Sequence, residues 1–133
     1  MKVDPECRYS KTHEWVRVEG DEAVAGISDY AQHELSDIVY VEAPEIGDSF
    51  AKGEVFCVVE SVKTATDSYM PIGGEILAIN EELEDSPELV NKDPYGDGWF
   101  IRFAVEDPEE VDKLMTAADY ERYIERLQKE GEH

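Results

Sequence analysis

Basic residues are what this 133-residue sequence has least of: 12 Lys and Arg stand against 33 Asp and Glu, a formal net charge of −21. Such a surface repels phosphate backbones and anionic headgroups, which argues against nucleic-acid and membrane partners. It suits partners with basic docking faces, or it serves solubility or adaptation to a salty or hot cell; both readings stand. Long apolar runs are also missing, and nothing approaches the roughly 20 residues that span a bilayer. The start, Met1-Lys2-Val3-Asp4-Pro5, lacks the apolar core of a secretory signal and the Arg/Ser character of a transit peptide. The expectation is a cytoplasmic protein; a mature mitochondrial form with its leader removed would read the same. Cysteine is scarce too: Cys7 lies in a polar segment and Cys57 inside an apolar one. Neither has a CxxC partner or a histidine at metal spacing, so no metal site is expected and a reducing compartment is.

The signatures of catalysis are equally absent. There is no Gly-rich phosphate loop and no G-x-S-x-G elbow. His13, His33 and His133 are not at ligand spacing. His13 and Glu14 would make an acid/base pair only if they met, and neighbours along a strand point to opposite faces. With no catalytic residues to name, the chain reads as a non-enzyme.

What is present reads mainly as β-structure in a single domain over residues 1–133, with a core from about 9 to 127. Tyr9 to Glu19 alternates as a strand, Gly20-Asp21 turns, and Ala23 to Ile27 returns as a hairpin. Ser28 is placed to cap a short helix over Asp29 to Leu35. Ile38-Val39-Tyr40-Val41, Val55 to Ser61, Glu75 to Asn80 and Trp99 to Val105 read as strands. Pro87 to Val90 reads as a helical turn, and Asp107-Pro108 as a helix start. Thr116 with Asp119 resembles a capping box for a final helix, whose Tyr120, Tyr123, Ile124 and Leu127 form one apolar face. Lys129 to His133 reads as a frayed polar tail. Gly53-Glu54-Val55-Phe56-Cys57-Val58 matches Gly74-Glu75-Ile76-Leu77-Ala78-Ile79, which points to a sandwich with approximate internal two-fold symmetry or to chance likeness of two amphipathic strands.

Lys63 is the residue that carries most information. It sits in Glu60-Ser61-Val62-Lys63-Thr64-Ala65-Thr66-Asp67, after an apolar strand and before an extended run to Pro71. A lysine between two strands with small neighbours lies at a hairpin tip. It is either a solvated turn residue or the attachment point of a prosthetic group on which other enzymes act. The lack of any catalytic constellation favours the carrier. A covalent arm keeps its reactive end at high effective concentration beside a docked enzyme.

These residues resemble the H protein family of the glycine cleavage system. The resemblance runs through Tyr9-Ser10-Lys11-Thr12-His13-Glu14-Trp15-Val16, Gly26-Ile27-Ser28-Asp29-Tyr30-Ala31-Gln32 and Asp37-Ile38-Val39-Tyr40-Val41. It continues in Glu60-Ser61-Val62-Lys63, Pro71-Ile72-Gly73-Gly74-Glu75 and Asn91-Lys92-Asp93-Pro94-Tyr95-Gly96-Asp97-Gly98-Trp99. Thr64, Thr66 and Gly73 depart from the usual pattern. The resemblance implies a lipoyl/biotinyl-type β-sandwich (a hybrid barrel-sandwich) with short helices and a C-terminal helix. It implies lipoate in amide linkage on Lys63, with Glu60, Ser61, Val62 and Thr64 read by a lipoate ligase or a lipoyl or octanoyl transferase. The arm would take an aminomethyl group from the pyridoxal-phosphate glycine decarboxylase (P protein) to the tetrahydrofolate-dependent aminomethyltransferase (T protein). Dihydrolipoamide dehydrogenase (L protein) would reoxidise it, and the carrier itself would be a monomer. A cationic amine on that arm needs a carboxylate and shelter from water. Glu14, with Thr12 on the same face by strand parity and with Asp67, is the candidate cradle.

Two alternatives stay open on the residues alone. A biotin carrier also places a lysine at a hairpin tip, but usually between methionines, and here Val62 and Thr64 flank it. A relay protein that donates lipoyl groups to other complexes would have the same sequence as a shuttle.

Overall fold

β-Branched and aromatic alternation becomes two antiparallel sheets facing each other. The computed structural model of the chain describes residues 1–131. The larger sheet holds β1 (Arg8–Tyr9), β2 (Glu14–Glu19), β3 (Glu22–Ile27), β5 (Ser49–Phe50), β8 (Gly74–Ile79) and β9 (Ile101–Val105). Their order across the sheet is β1-β2-β3-β9-β8-β5. The smaller sheet holds β4 (Ile38–Glu42), β6 (Val55–Ser61) and β7 (Ala65–Tyr69), in the order β4-β6-β7. Both sheets are open, so the molecule is a sandwich rather than a closed barrel.

Inward residues of the two sheets make the main core. Ala23, Ala25 and Ile27 from β3, Ile76 from β8 and Phe103 from β9 pack with Val41, Cys57 and Val59 of the smaller sheet, all buried. The Ile, Val and Phe side chains among them each contribute about 1.5–3 kcal/mol by leaving water, and the alanines less. A close approach sets one glycine: a Cβ on Gly74 would lie 2.1 Å from the Ala104 carbonyl oxygen across the β8–β9 pair. A second cluster lies around Tyr9, Trp15, Tyr95, Tyr120 and Ile124. There Tyr9 and Tyr120 stack with ring centroids 4.3 Å apart.

The helices follow local chemistry. Ser28 caps α1 (Asp29–Leu35), its Oγ accepting from the Ala31 amide at 3.2 Å. A four-residue helix α2 (Glu82–Asp85) anchors by Leu83, and α3 (Leu89–Lys92) by Val90. Asp107 and Pro108 start a 3-10 helix, Pro108–Lys113, rather than an α-helix. The last helix, α4 (Ala117–Gly131), buries Tyr120 and Ile124.

Several expectations are corrected. Tyr9 is not continuous with the strand at Trp15: the chain turns back over Ser10 to His13, so that Tyr9 pairs with Trp15 as a neighbour in β1. Thr116 makes half a capping box. Its Oγ1 accepts from the Asp119 amide at 3.2 Å, while the Asp119 carboxylate turns to Arg122. Lys129 to Gly131 are helical, not frayed, because a helix of 15 residues propagates readily and Lys129 suits its C-terminal dipole. Glu132 and His133 lie outside the described residues. The two halves of the sequence repeat, β6 and β8, fall in opposite sheets; the strands that flank the lysine turn are β6 and β7. Cys7 is buried although its segment is polar.

Candidate functional site

The turn between β6 and β7 is built by one hydroxyl. Ser61 is buried, and its Oγ accepts from the amides of both Lys63 and Thr64 at 3.1 Å. The same hydroxyl donates to the Thr64 carbonyl at 3.2 Å, and the Ser61 amide donates to that oxygen at 2.8 Å. From outside, the Val62 amide donates to the Asp37 carbonyl at 3.0 Å, which ties the turn to the segment leading into β4. The backbone under Lys63 is therefore fixed on both sides while its side chain stands exposed. Among the described residues Lys63 makes no ion pair. Glu60, Val62 and Thr64 are also exposed, so each position of the run except Ser61 faces water.

Beside this hairpin lies a cavity of about 250 Å³. Thr66, Asp67 and Ser68 of β7 form one wall, Tyr30 and Leu35 of α1 another, and Thr12, His13 and Glu14 the floor. The three arm-cradling candidates, Thr12, Glu14 and Asp67, thus line one space. Glu14 is only 2% exposed. Its Oε1 accepts from Ser10 Oγ at 2.8 Å and from Thr12 Oγ1; its Oε2 accepts from Ser68 Oγ at 3.3 Å and from the Tyr69 amide at 3.2 Å. No cation pairs with it among the described residues. Burial raises the Glu14 pKa above the usual carboxylate value, and the four donors oppose that rise. The result is a buried carboxyl group held by hydroxyls and an amide, with no cation beside it among the described residues.

Thr12 and Glu14 meet, but strand parity is not the cause. Thr12 lies outside β2; the turn over Ser10 to His13 folds its hydroxyl onto Glu14. The same turn overturns the separation of His13 from Glu14. His13 has φ +76, outside any strand, and lines the cavity together with Glu14. Its Nδ1 lies 2.8 Å from the Tyr120 hydroxyl, which lies 2.6 Å from Ser28 Oγ. Burial lowers the His13 pKa, so the ring is held neutral. Ser10, Ser68 and Tyr30 escaped the sequence reading. Ser10 and Tyr30 sat in matching blocks and Ser68 did not; Ser68 and Tyr30 meet Glu14 or its cavity only through strand pairing and helix placement.

Other chemistry is weak here. Burial pushes the thiols of Cys7 and Cys57 up to about 12, which makes both poor nucleophiles. Among the described residues no cluster of His, Cys, Asp or Glu could hold a metal ion, and no helix is long and apolar enough to cross a membrane.

The exposed lysine on its braced turn and the buried Glu14 further along the same hairpin belong to a sequence with many relatives. The family model described as glycine cleavage H-protein matches residues 7–127. A glycine cleavage system H protein of Clostridium botulinum is 52% identical over 131 residues, covering 98% of this chain and all of the relative. One from Halothermothrix orenii is 49% identical over 128 residues, 96% of this chain and all of the relative. One from Thermus thermophilus is 50% identical over 125 residues, 94% of this chain and 98% of the relative. The crystal structure of a glycine cleavage system H protein from Mycobacterium marinum superposes with a TM-score of 0.78 at 33% identity, covering 89% of this chain and 95% of that one. Matched from end to end at half identity, and in fold, the chain belongs to the glycine cleavage H-protein family.

Proposed function

We propose that Lys63 is the lipoyl attachment point of this chain and that the cavity around Glu14 is the resting place of the arm. The family makes the chain a carrier component of the glycine cleavage system rather than an enzyme. Bound to Lys63, lipoate would supply a disulfide that takes up and gives back a small amine-bearing carbon unit. The observation that carries this reading is an exposed, unpaired Lys63 on the Ser61-braced turn at one end of β7, whose Ser68 and Tyr69 hold a buried carboxyl that lacks a cation.

The chain's own residues then have distinct tasks. Ser61 holds the Lys63 and Thr64 amides, which aims the side chain outward. Glu60, Val62 and Thr64 are accessible to a modifying enzyme, a lipoate ligase or a lipoyl or octanoyl transferase. Glu14 offers negative charge to a cationic amine, Thr12 and Asp67 stand at the cavity wall, and Leu35 and Val59 keep water out. The donors around Glu14 orient the carboxylate before any amine arrives.

The partners in this reading are the glycine decarboxylase, the aminomethyltransferase and dihydrolipoamide dehydrogenase, met one at a time by a monomer in the cytoplasm. Residues 1–133 act as one carrier domain, supported by Cys7 and Tyr9 at one end sharing a cluster with Tyr120 and Ile124 at the other. The sheltered Glu14, with no cation beside it, favours a shuttle over a lipoyl relay, which has no use for such a carboxyl at the arm's end. Peptide mapping of protein from its native cell tests the attachment. The lipoyl mass on the Lys63 peptide is expected, and Lys63→Arg should retain the fold and lose all carrier activity. A lipoyl group on another lysine would sink the reading.

A further inference from the structure

In a regular strand, Ile38 and Tyr40 would share one face and Val39 and Val41 the other. β4 breaks that rule. Ile38 is 3% and Val41 9% exposed, whereas the consecutive residues Val39 and Tyr40 are 51% and 47% exposed. The register explains it: Ile38 pairs with Ser61 and Tyr40 with Glu60, so Val39 is the extra residue of a β-bulge. The bulge places two large apolar side chains side by side in water. Folding gains nothing from that arrangement, and bulges commonly re-aim side chains beside functional sites.

The site it lies beside is the lysine turn. Val62, next to Lys63, is 65% exposed, and its amide bonds to Asp37, the residue before β4. Val39, Tyr40 and Val62 therefore gather at the lysine end of the smaller sheet. Exposed carboxylates of Asp37, Glu42 and Glu60 border them. Lys63 is the only Lys or Arg between Lys52 and Lys92. Once its amine becomes an amide, no cation remains within the β6–β7 hairpin, and the three carboxylates named dominate the border. An apolar centre with a charged rim is the anatomy of a transient interface.

The charge decides among occupants. A second copy would bring the same anionic rim against its own, and an anionic membrane would be repelled. A protein face with an apolar centre and a basic rim fits. Of the enzymes that meet the carrier, one acts on Nζ itself and so must cover the turn and its neighbours. Enzymes that read the far end of an arm need not. We propose that Val39, Tyr40 and Val62 form the docking patch for the enzyme that acylates Lys63; this rests on Lys63 being the attachment point. In that reaction Nζ attacks the carbonyl of an acyl adenylate or acyl thioester. A C–N bond forms, the C–O or C–S bond breaks, and the ammonium loses two protons in becoming an amide N–H.

The test uses the unmodified full chain, a lipoate ligase, lipoate and ATP. Val39→Ser with Tyr40→Ser, and separately Val62→Ser, should raise the ligase KM for the carrier about tenfold with kcat changed less than about twofold. Glu42→Gln with Glu60→Gln should also raise KM and flatten its dependence on salt. Val18→Ser and Leu77→Ser, exposed at 43% and 38% on the other sheet, are the controls and should leave KM unchanged. Thermal melts confirm that each variant is folded. An unchanged KM in the patch variants overturns the proposal, and so does a KM raised only for the decarboxylase or the aminomethyltransferase. Peptide mapping of the wild-type product separates the two levels. Acylation of another lysine overturns the attachment reading, whereas acylation of Lys63 with unaffected patch variants overturns the patch alone.

Discussion

Glu14 and His13 share a cavity yet are tuned in opposite ways by one cause. Burial disfavours charge on both, raising the carboxyl pKa and lowering that of the imidazole. For Glu14 the folded state resists ionisation, so its contribution to stability falls as pH rises through the unfolded carboxylate value near 4.3. In the proposed cradle that cost has a purpose, since only the anion would attract an amine. Glu14→Gln should fold well, because the Ser10 and Thr12 hydroxyls can turn to accept from the new amide. Glu14→Ala leaves the Tyr69 amide and Ser68 without an acceptor, a loss of about 1–3 kcal/mol in urea melts. Both variants should speed loss of ammonia from the loaded carrier, and an unchanged rate would refute the cradle. For His13 the folded state refuses a proton that the unfolded chain takes up as pH falls below about 6.5. Stability should therefore drop on acidification through that value. His13→Asn, which tolerates the positive φ, should remove this part of the slope between melts at pH 7.5 and 5.5.

At the scale of elements, the turn over Val62 to Thr64 depends on Ser61. Ser61→Ala strips the acceptor from two amides and the donor from the Thr64 carbonyl. The hairpin should persist through its β6–β7 register, and exchange of the Lys63 and Thr64 amides should accelerate. Acylation of Lys63 should slow about tenfold, since the lysine loses its fixed aim. Normal rates in Ser61→Ala would remove this role. Elements set by local signals were legible in the sequence: β6 over Val55 to Ser61, and α1 behind its Ser28 cap, have the expected bounds. Elements set from a distance were not. β1 and β5 have two residues each and exist only through distant partners, β2 and Met115 for the first and β8 for the second. α2 is one acidic turn held by Leu83. The turn position of Lys63 was legible because a lysine between two strands is a local pattern. The cavity could be found only in part. Its decisive move is the φ of His13, which bends Thr12 back onto Glu14 and which no periodicity announces.

At the scale of the molecule, the charge of −21 is a long-range feature with a short reach. Screening beyond about 8 Å at physiological salt confines steering to the last approach. A carrier must leave each enzyme quickly, which suits a polar, salt-sensitive contact. Raising salt should therefore raise each partner's KM for the carrier with little change in kcat, while free lipoamide as surrogate substrate shows no such trend. A flat KM would assign the acidity to the cell rather than to the partners.

The solitude of Lys63 reaches further than docking. Its ammonium pairs with none of the described carboxylates, and Ser61 braces its backbone rather than its side chain. If Lys63 is the attachment point, as proposed, acylation breaks no contact that holds the fold. Attachment itself then costs the fold nothing, and the folding equilibrium shifts only by what the arm gains where it rests in the Glu14 cavity. Proteases and chaperones, which sort proteins by how often they open, find the bare chain no looser than its own packing makes it. Bare and furnished carrier should therefore differ in half-life only by the strength of that docking.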